Sequence, residues 1–251
     1  MRQSGNAHQR EIADTPDKAH KNGSTMNSTS AALHVFSSDI SVYTYTLHDD
    51  SGISIDDALS CVNDAERQRA DRFHYARDRD YYLRGRGYLR RLLSWHLKTP
   101  PQRVPIVGAP GQKPALDNNP LYFNLSHSGH LAVCAISRSR PVGIDIELVD
   151  HAVPHDALCR KVFTPRECDA LGACEETEAP RRFFEYWTAK EALMKLTGLG
   201  IRLNPRSIEL ALDGGRPSGY CRPRLPRAHL LRLSLPGTEG LCICHLATPR
   251  S

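Results

Sequence analysis

Two carboxylates alternate with isoleucines in the segment Gly143-Ile-Asp-Ile-Glu147. Side chains on a strand alternate between its two faces, so Asp145 and Glu147 are predicted to share one face, with the isoleucines buried on the other. Two carboxylates roughly 6 to 7 Å apart repel one another unless a cation lies between them, and Mg²⁺ prefers such oxygen ligands. The segment therefore predicts a magnesium site, and the alternative is an edge strand with a solvated acidic face.

A third carboxylate and two lysines lie on a predicted helix, in the segment Trp187-Thr-Ala-Lys-Glu-Ala-Leu-Met-Lys195. Glu191 and Lys195 are four residues apart and share a helix face, and Lys190 is next to them around the helix. A Glu/Lys pair of this kind is most often a weak surface ion pair. The same groups are also what a metal-bridged pyrophosphate site requires, namely a ligand for Mg²⁺ and cations for the phosphate oxygens.

The segment Phe123-Asn-Leu-Ser-His-Ser-Gly-His130 runs from a predicted strand into a Ser/Gly turn. The hydroxyl of Ser126, the imidazole of His127 and the backbone N–H groups of such a turn are suited to hold an anion. Lys113 lies upstream, on the tight loop Gly111-Gln-Lys-Pro114. A basic cluster earlier in the chain consists of Arg67, Arg69 and Arg72. Taken singly, each of these groups is typical of solvated surface.

Four helices are predicted around these segments. Ser54 has the residue type and the following acidic residue that favour a helix start. Thr164, followed by proline and then by Glu167, forms a complete capping box. The two longer helices are predicted from their apolar periodicity at residues 78–98 and 181–197.

Seven strands are predicted, at residues 40–47, 121–125, 131–136, 142–148, 208–212, 230–235 and 241–246. Helices followed by strands occur twice, so the predicted fold class is α+β, with two similar halves that each pack helices on a small antiparallel sheet. We predict a disordered N-terminal extension over residues 1–32, an N-terminal half over 33–140, and a C-terminal half over 141–251 that carries the metal and catalytic motifs.

The composition is that of an ordinary globular protein of 251 residues, 40% of them hydrophobic and 24% charged, which excludes a disordered or collagen-like chain. No run of about 18 apolar residues occurs and the N-terminus has no apolar signal region, so we expect a cytoplasmic protein without membrane attachment. The eight cysteines include no Cys-x-x-Cys pair and are expected to be reduced thiols. The net charge of +5 favours an anionic partner.

Four motifs occur in a fixed order: Gly-x-Lys-Pro, Phe-Asn-Leu-Ser-His-Ser, Gly-Ile-Asp-Ile-Glu and Trp-x-x-Lys-Glu-Ala-x-x-Lys. Together they resemble the 4′-phosphopantetheinyl transferases, specifically the larger, surfactin-synthetase-activating type, and the resemblance spans about residues 65–200. It implies two halves with pseudo-twofold symmetry and a monomeric, Mg²⁺-dependent enzyme. Such an enzyme transfers the 4′-phosphopantetheine arm of coenzyme A to a serine of an apo acyl or peptidyl carrier protein and releases adenosine 3′,5′-bisphosphate.

The resemblance also implies roles for individual residues. The Mg²⁺ ligands on the pyrophosphate would be Asp145, Glu147 and Glu191. Glu191 would also be the general base, although a water molecule held by the metal is an alternative base because metal binding lowers a carboxylate pKa. The cations that contact phosphates and stabilise the leaving group would be Lys190 and Lys195. The remaining coenzyme A contacts would be Arg69 or a neighbouring residue at the 3′-phosphate, Lys113 and Pro114 on the adenine side, and Ser126 and His127 at the phosphates.

Two other classes of function stay open at this point. A nucleic-acid-binding protein would use the nine arginines between Arg67 and Arg91. Acidic residues are interleaved with this stretch, and no helix-turn-helix, RRM or zinc-finger pattern occurs, so we expect no nucleic-acid partner. A degenerate binder of coenzyme A or of a carrier protein would keep the fold without the reaction. The presence of all three carboxylates and both motif lysines favours an enzyme. Glu66 stands where relatives often carry a basic residue.

Overall fold

The computed structural model describes residues 32–35, 37, 39–48, 53–108, 112–221, 227–235, 238 and 240–250. The predicted N-terminal extension therefore lies outside the described residues, except for Ala32, where the first strand begins. Gly111 of the predicted lysine loop also lies outside them.

The N-terminal half alternates short strands with three helices. Its elements are β1 (Ala32–Val35), β2 (Ile40–Thr46), α1 (Ile55–Cys61), α2 (Asp64–Ala70), α3 (Ala76–Leu97), β3 (Ile106–Val107), β4 (Ala115–Leu116), β5 (Tyr122–Ser128) and β6 (Leu131–Ser137). Its main sheet is antiparallel with the strand order β1-β2-β6-β5, so β5 is an edge strand.

The C-terminal half begins with the strand that carries the carboxylates. Its elements are β7 (Gly143–Leu148), α4 (His155–Val162), α5 (Pro165–Gly172), α6 (Ala179–Thr197), β8 (Glu209–Asp213), β9 (Arg216–Cys221), β10 (Ala228–Leu233) and β11 (Cys242–Pro249). Its main sheet is antiparallel with the order β10-β11-β7, so β7 is an edge strand.

The two main sheets face each other and the long helices lie outside them. α3 packs on the outer face of the first sheet, and α6 with α4 and α5 packs on the outer face of the second. Between the sheets lies a shared apolar layer that includes Val42, Val133, Ala135, Ile144, Ile146 and Leu246. Because the isoleucines of β7 are buried in this layer, the residues between them face α6.

The predicted α+β class with two helix-on-sheet halves is confirmed. The predicted boundary at residues 140 and 141 falls in the connection between β6 and β7. In the described part of the chain, none of the helices has the length and apolar character needed to cross a membrane.

Several elements differ from the sequence prediction. The helix predicted after Ser54 ends at Cys61, because Asn63 caps a second helix with Glu66 completing a capping box. The strand β9 was not predicted, since its Pro217 and Gly219 are residues typical of turns.

The expectation that all cysteines are reduced is wrong for one pair. Cys159 of α4 and Cys168 of α5 form a disulfide, with Cα atoms 6.0 Å apart. The two residues are nine positions apart and match no short cysteine motif, so the sequence spacing gave no sign of the pairing. The other six cysteines are not part of a disulfide, and Cys221 among them is exposed.

Candidate active site

The site forms where β7 lies directly against α6. Gly143, the first residue of β7, makes this contact: a Cβ atom built on it would overlap the carbonyl oxygen of Ala192 and the amide nitrogen of Leu196. Glycine is therefore required for the backbone approach. The strand then carries Asp145 and Glu147 past the last turns of the helix, where Glu191 and Lys195 lie.

Asp145 is 3% exposed and is held on one oxygen only. Its Oδ1 accepts hydrogen bonds from Lys195 Nζ at 2.6 Å and from Ser126 Oγ at 2.7 Å. Its Oδ2 is buried and has no hydrogen-bond partner among the described residues. Burial raises the pKa of Asp145, and the Lys195 ammonium opposes that rise. A buried carboxylate oxygen without a donor is suited to a cationic ligand.

Glu147 is half-buried two residues further along β7. Its Oε2 accepts a hydrogen bond from Ser128 Oγ at 2.7 Å. Burial raises the pKa of Glu147, the bond from Ser128 opposes the rise, and the neighbouring Asp145 carboxylate adds to it. The two carboxylates of β7 therefore interact electrostatically, as the sequence pattern predicted.

Glu191 completes the group of acidic side chains from α6. Its pKa is raised to about 7, first by burial and then by repulsion from Asp145, with Glu147 adding to the rise and Lys195 opposing it. A carboxyl group with a pKa near neutrality exchanges protons readily at physiological pH. The structure thus brings the three predicted carboxylates into one electrostatic environment.

Basic groups surround the same point. Lys195 Nζ bridges Asp145 and the Ser126 hydroxyl, which it contacts at 2.8 Å. Lys113 Nζ donates to the carbonyl of Val142 at 2.6 Å, and burial together with the Lys195 charge lowers its pKa to about 8. Partial burial and the Lys195 charge also lower the pKa of His127. Two lysines and an imidazole therefore lie where an anion bound at the carboxylates would extend.

The donor set fits a hard divalent cation. Three carboxylates with raised pKa values and one buried, unpartnered oxygen are the chemistry that Mg²⁺ prefers, and burial together with mutual repulsion explains the raised pKa values. Among the described residues, no group of three or more His, Cys, Asp or Glu side chains is arranged to hold a metal ion, and the Lys195 ammonium pairs with Asp145 Oδ1 at 2.6 Å. The metal role of the carboxylates stays a prediction.

Four of the predicted coenzyme A contacts line two cavities. Ser126 and His127 line a cavity of about 400 Å³ whose walls also include Tyr45, Leu47, Tyr82, Arg86 and Leu125. Lys113 and Pro114 line a separate cavity of about 290 Å³ that also includes Tyr122, Phe123 and Arg202. Arg69 lies on α2, with its guanidinium 5.4 Å from the ring centre of Tyr82. The basic side chain is therefore next to the wall of the first cavity.

Lys190 does not join these residues. Its side chain is fully buried on another side of α6, where Nζ pairs with Glu167 Oε2 at 2.5 Å and donates to the carbonyl of Pro205. Glu167 in turn accepts from the backbone of Thr164 and Leu210. The predicted contact of Lys190 with phosphates does not fit this position, since the ammonium is enclosed by a structural network that ties α5 to α6.

Glu66 has a structural place that explains its departure from a basic residue. Arg90 Nε donates to its carboxylate at 2.5 Å, and Arg86 binds the other oxygen. Arg90 is 1% exposed and also donates to the backbone carbonyls of Pro101 and Val104. Glu66 therefore fastens α2 to α3 and to the turn that follows it.

Sequence reasoning missed the side chains that hold the carboxylates in place. Asn124 and Ser128 of β5 bond directly to β7, and Ser128 also donates to Glu147. A signal existed in the polar residues at every second position of the segment 124–128, since this spacing places them on one face of a strand.

Two family models match the chain. The model for the 4′-phosphopantetheinyl transferase superfamily matches residues 141–243, and the model for the N-terminal region of 4′-phosphopantetheinyl transferases matches residues 51–139. Between them they cover both halves of the fold, and the first includes all three carboxylates and Lys195.

Individual relatives agree with this. The chain is 33% identical over 168 residues to the 4′-phosphopantetheinyl transferase HetI of Nostoc sp., covering 65% of this chain and 70% of the relative. It is 27% identical over 172 residues to the 4′-phosphopantetheinyl transferase Sfp of Bacillus subtilis, covering 68% and 74%. A putative 4′-phosphopantetheinyl transferase of Synechocystis sp. is 30% identical over 139 residues, which cover 54% of this chain and little more than half, 56%, of that relative.

Proposed function

The chain belongs to the 4′-phosphopantetheinyl transferase superfamily, and we propose that it transfers the 4′-phosphopantetheine arm of coenzyme A to a serine hydroxyl of an apo acyl or peptidyl carrier protein. Adenosine 3′,5′-bisphosphate is the second product. The observation that carries the proposal is the juxtaposition of Asp145 and Glu147 on β7 with Glu191 and Lys195 on α6.

The reaction needs little covalent participation from the protein. The serine oxygen forms a bond to the phosphorus that carries the pantetheine arm, the bond from that phosphorus to the bridging oxygen breaks, and the nucleotide leaves with the electron pair. The serine proton passes to a base. Positioning and charge neutralisation therefore supply most of the catalysis. These are the functions that a set of carboxylates and lysines at one place supports.

Asp145, Glu147 and Glu191 would hold Mg²⁺. When bound, the ion neutralises pyrophosphate charge and orients the reacting phosphate. The unpartnered Oδ2 of Asp145 supports this assignment, because a buried carboxylate oxygen without a donor is otherwise costly. The hydrogen bonds from Ser126 and Ser128 leave the remaining carboxylate oxygens available.

Glu191 is proposed to accept the serine proton. Burial and the neighbouring carboxylates raise its pKa to about 7 without a metal ion, and bound Mg²⁺ would lower that pKa, so a water molecule held by the metal is the alternative base. Lys195 is proposed to stabilise the negative charge that develops on the leaving nucleotide. Its ammonium group contacts Asp145 and Ser126 and therefore lies at the proposed phosphate position. Lys190 is left out of the mechanism because it is enclosed by Glu167 and its neighbours.

The coenzyme is proposed to occupy the cavities beside these groups. Ser126 and His127 would bind phosphates, and Lys113 with Pro114 would lie on the adenine side. Arg69 would meet the 3′-phosphate from the neighbouring helix. The positive net charge of +5 suits an acidic carrier protein, which it would steer toward the site. We further propose a monomer that works in the cytoplasm.

The proposal is tested by intact-protein mass spectrometry. An apo acyl carrier protein and an apo peptidyl carrier protein are each incubated with this protein, coenzyme A and Mg²⁺, with EDTA in a parallel sample. We expect a mass gain of one phosphopantetheine arm that EDTA abolishes. The alternative function is a binder of coenzyme A without turnover, and binding by calorimetry with no mass gain on either carrier would favour it.

A further inference from the structure

Two edge strands meet at the site. β5 is the last strand of its sheet and β7 is the last strand of the other, so each presents backbone groups that have no partner within its own sheet. The two strands belong to separate sheets and are not paired with each other by backbone bonds. Side chains of β5 bind backbone groups of β7 instead.

Two side chains of β5 accept hydrogen bonds from the free edge of β7. Asn124 Oδ1 accepts from the backbone amide of Ile144 at 2.8 Å, and Ser128 Oγ accepts from the amide of Leu148 at 3.1 Å. Asn124 and Ser128 are four positions apart on a strand and therefore lie on the same face. They fix β7 at both ends of the segment that carries the carboxylates.

Ser128 has a second bond that reaches the site itself. Its hydroxyl donates to Glu147 Oε2 at 2.7 Å while it accepts from Leu148. A serine hydroxyl has one proton to donate, and here that proton points to the carboxylate because the lone pair is directed to the backbone amide. The Leu148 amide thus orients the Ser128 hydroxyl, and that hydroxyl in turn orients the Glu147 carboxylate.

We infer that Ser128 is a positioning residue of the site: by its bond to Oε2 it holds the Glu147 carboxylate in a fixed orientation toward the cation. The inference rests on the proposed function, because it takes Glu147 to be a metal ligand. Hydrogen bonds to a ligating carboxylate fix its direction, and their loss typically lowers metal affinity or activity by about 10- to 100-fold. Asn124 has a different function, since it holds the strand and does not contact a carboxylate.

The test compares four proteins: the unsubstituted chain, Ser128→Ala, Ser128→Thr and Ser218→Ala. Ser218 is the matched control, because its hydroxyl also donates within a sheet, to the carbonyl of Ala211, but it is exposed and belongs to β9. Mn²⁺ binding by calorimetry and the Mg²⁺ concentration for half-maximal transfer are measured for each, together with thermal stability.

We expect Ser128→Ala to weaken Mn²⁺ binding about tenfold or more and to raise the half-maximal Mg²⁺ concentration by a similar factor. Ser128→Thr keeps the hydroxyl and should restore both values to within about threefold, and Ser218→Ala should leave them unchanged. Unchanged Mn²⁺ affinity in Ser128→Ala, whatever its thermal stability, would overturn the inference.

If Ser128→Ala does not fold, Ser128→Val, which fills the space of the side chain and has no donor, takes its place. A normal Mn²⁺ affinity in Ser128→Val would then overturn the inference. Failure of the proposed function is recognised separately, because the unsubstituted chain would bind Mn²⁺ but leave every carrier unmodified.

Discussion

Glu191 should make the folded protein less stable as the pH rises, and replacing it should remove that loss. In the folded protein its pKa is about 7, against an ordinary value of 4.5, because burial and the Asp145 carboxylate oppose its ionisation. The unfolded chain ionises this group freely. The stability contributed by the protonated group is therefore complete below pH 4.5 and is lost as the pH rises to about 7.

The size of the effect follows from the two pKa values. Without screening, the cost of ionised Glu191 is about 3 kcal/mol at pH 8 and about 1 kcal/mol at pH 5. Glu191 is only half-buried, and solvent screening reduces the difference between the two pH values to about 1 to 2 kcal/mol. Glu191→Gln stays neutral, so its gain in stability over the unsubstituted protein should be larger at pH 8 than at pH 5 by that amount.

Urea denaturation in EDTA at both pH values measures this difference, with the exposed Glu176→Gln as the control for loss of one charge. In Mg²⁺ at pH 8 the order should reverse, since the unsubstituted protein gains stability from the ion and Glu191→Gln loses a ligand. Equal stabilities of Glu191→Gln and the unsubstituted protein at pH 8 in EDTA would refute the reasoning that burial and the neighbouring carboxylates oppose the ionisation of Glu191.

Three further predictions concern buried charged and polar groups. Asp145→Ala should raise the Mg²⁺ concentration for half-maximal transfer by about tenfold or more, and an unchanged metal titration would contradict its role as a ligand. Glu66→Ala should lower the free energy of unfolding by about 3 to 5 kcal/mol, because it leaves the buried guanidinium of Arg90 unpaired; urea denaturation checks this, and a loss below about 1 kcal/mol would contradict it. His245 is buried, its pKa is lowered to about 3, and it bonds to Thr188 at 2.8 Å. Because only the unfolded chain protonates this imidazole between pH 7 and pH 5, the free energy of unfolding should fall by about 2 kcal/mol over that range. The stability of His245→Asn should not fall in this way. Identical pH profiles of stability for His245→Asn and the unsubstituted protein would contradict the role given to His245.

The local patterns of the site could be predicted from the sequence. Alternation along β7 places Asp145 and Glu147 on one face, and the capping box at Thr164 has the predicted bonds to Glu167. These features depend on residues within one element, whose geometry is fixed by the backbone period. The close approach of β7 to α6 at Gly143 is a tertiary contact, and no local pattern specifies it.

The side of α6 on which the Lys190 side chain lies could not be predicted from the sequence. Adjacent residues on a helix are about 100° apart, so Lys190 and Glu191 cannot both face β7. Which of the two faces the strand depends on how α6 packs, and Glu167 from another helix receives Lys190. A lysine at a motif position was thus assigned to the site although its partner is a buried carboxylate more than twenty residues away.

The central claim is that the carboxylates of β7 and α6 belong to a site that transfers the phosphopantetheine arm. It is tested most directly by following both products of one reaction, with the mass of an apo carrier protein and the amount of released adenosine 3′,5′-bisphosphate measured in the same sample. The account predicts one arm gained for each bisphosphate released, and neither product with EDTA. Bisphosphate released without any gain in carrier mass would contradict it, since the site would then hydrolyse coenzyme A rather than transfer its arm.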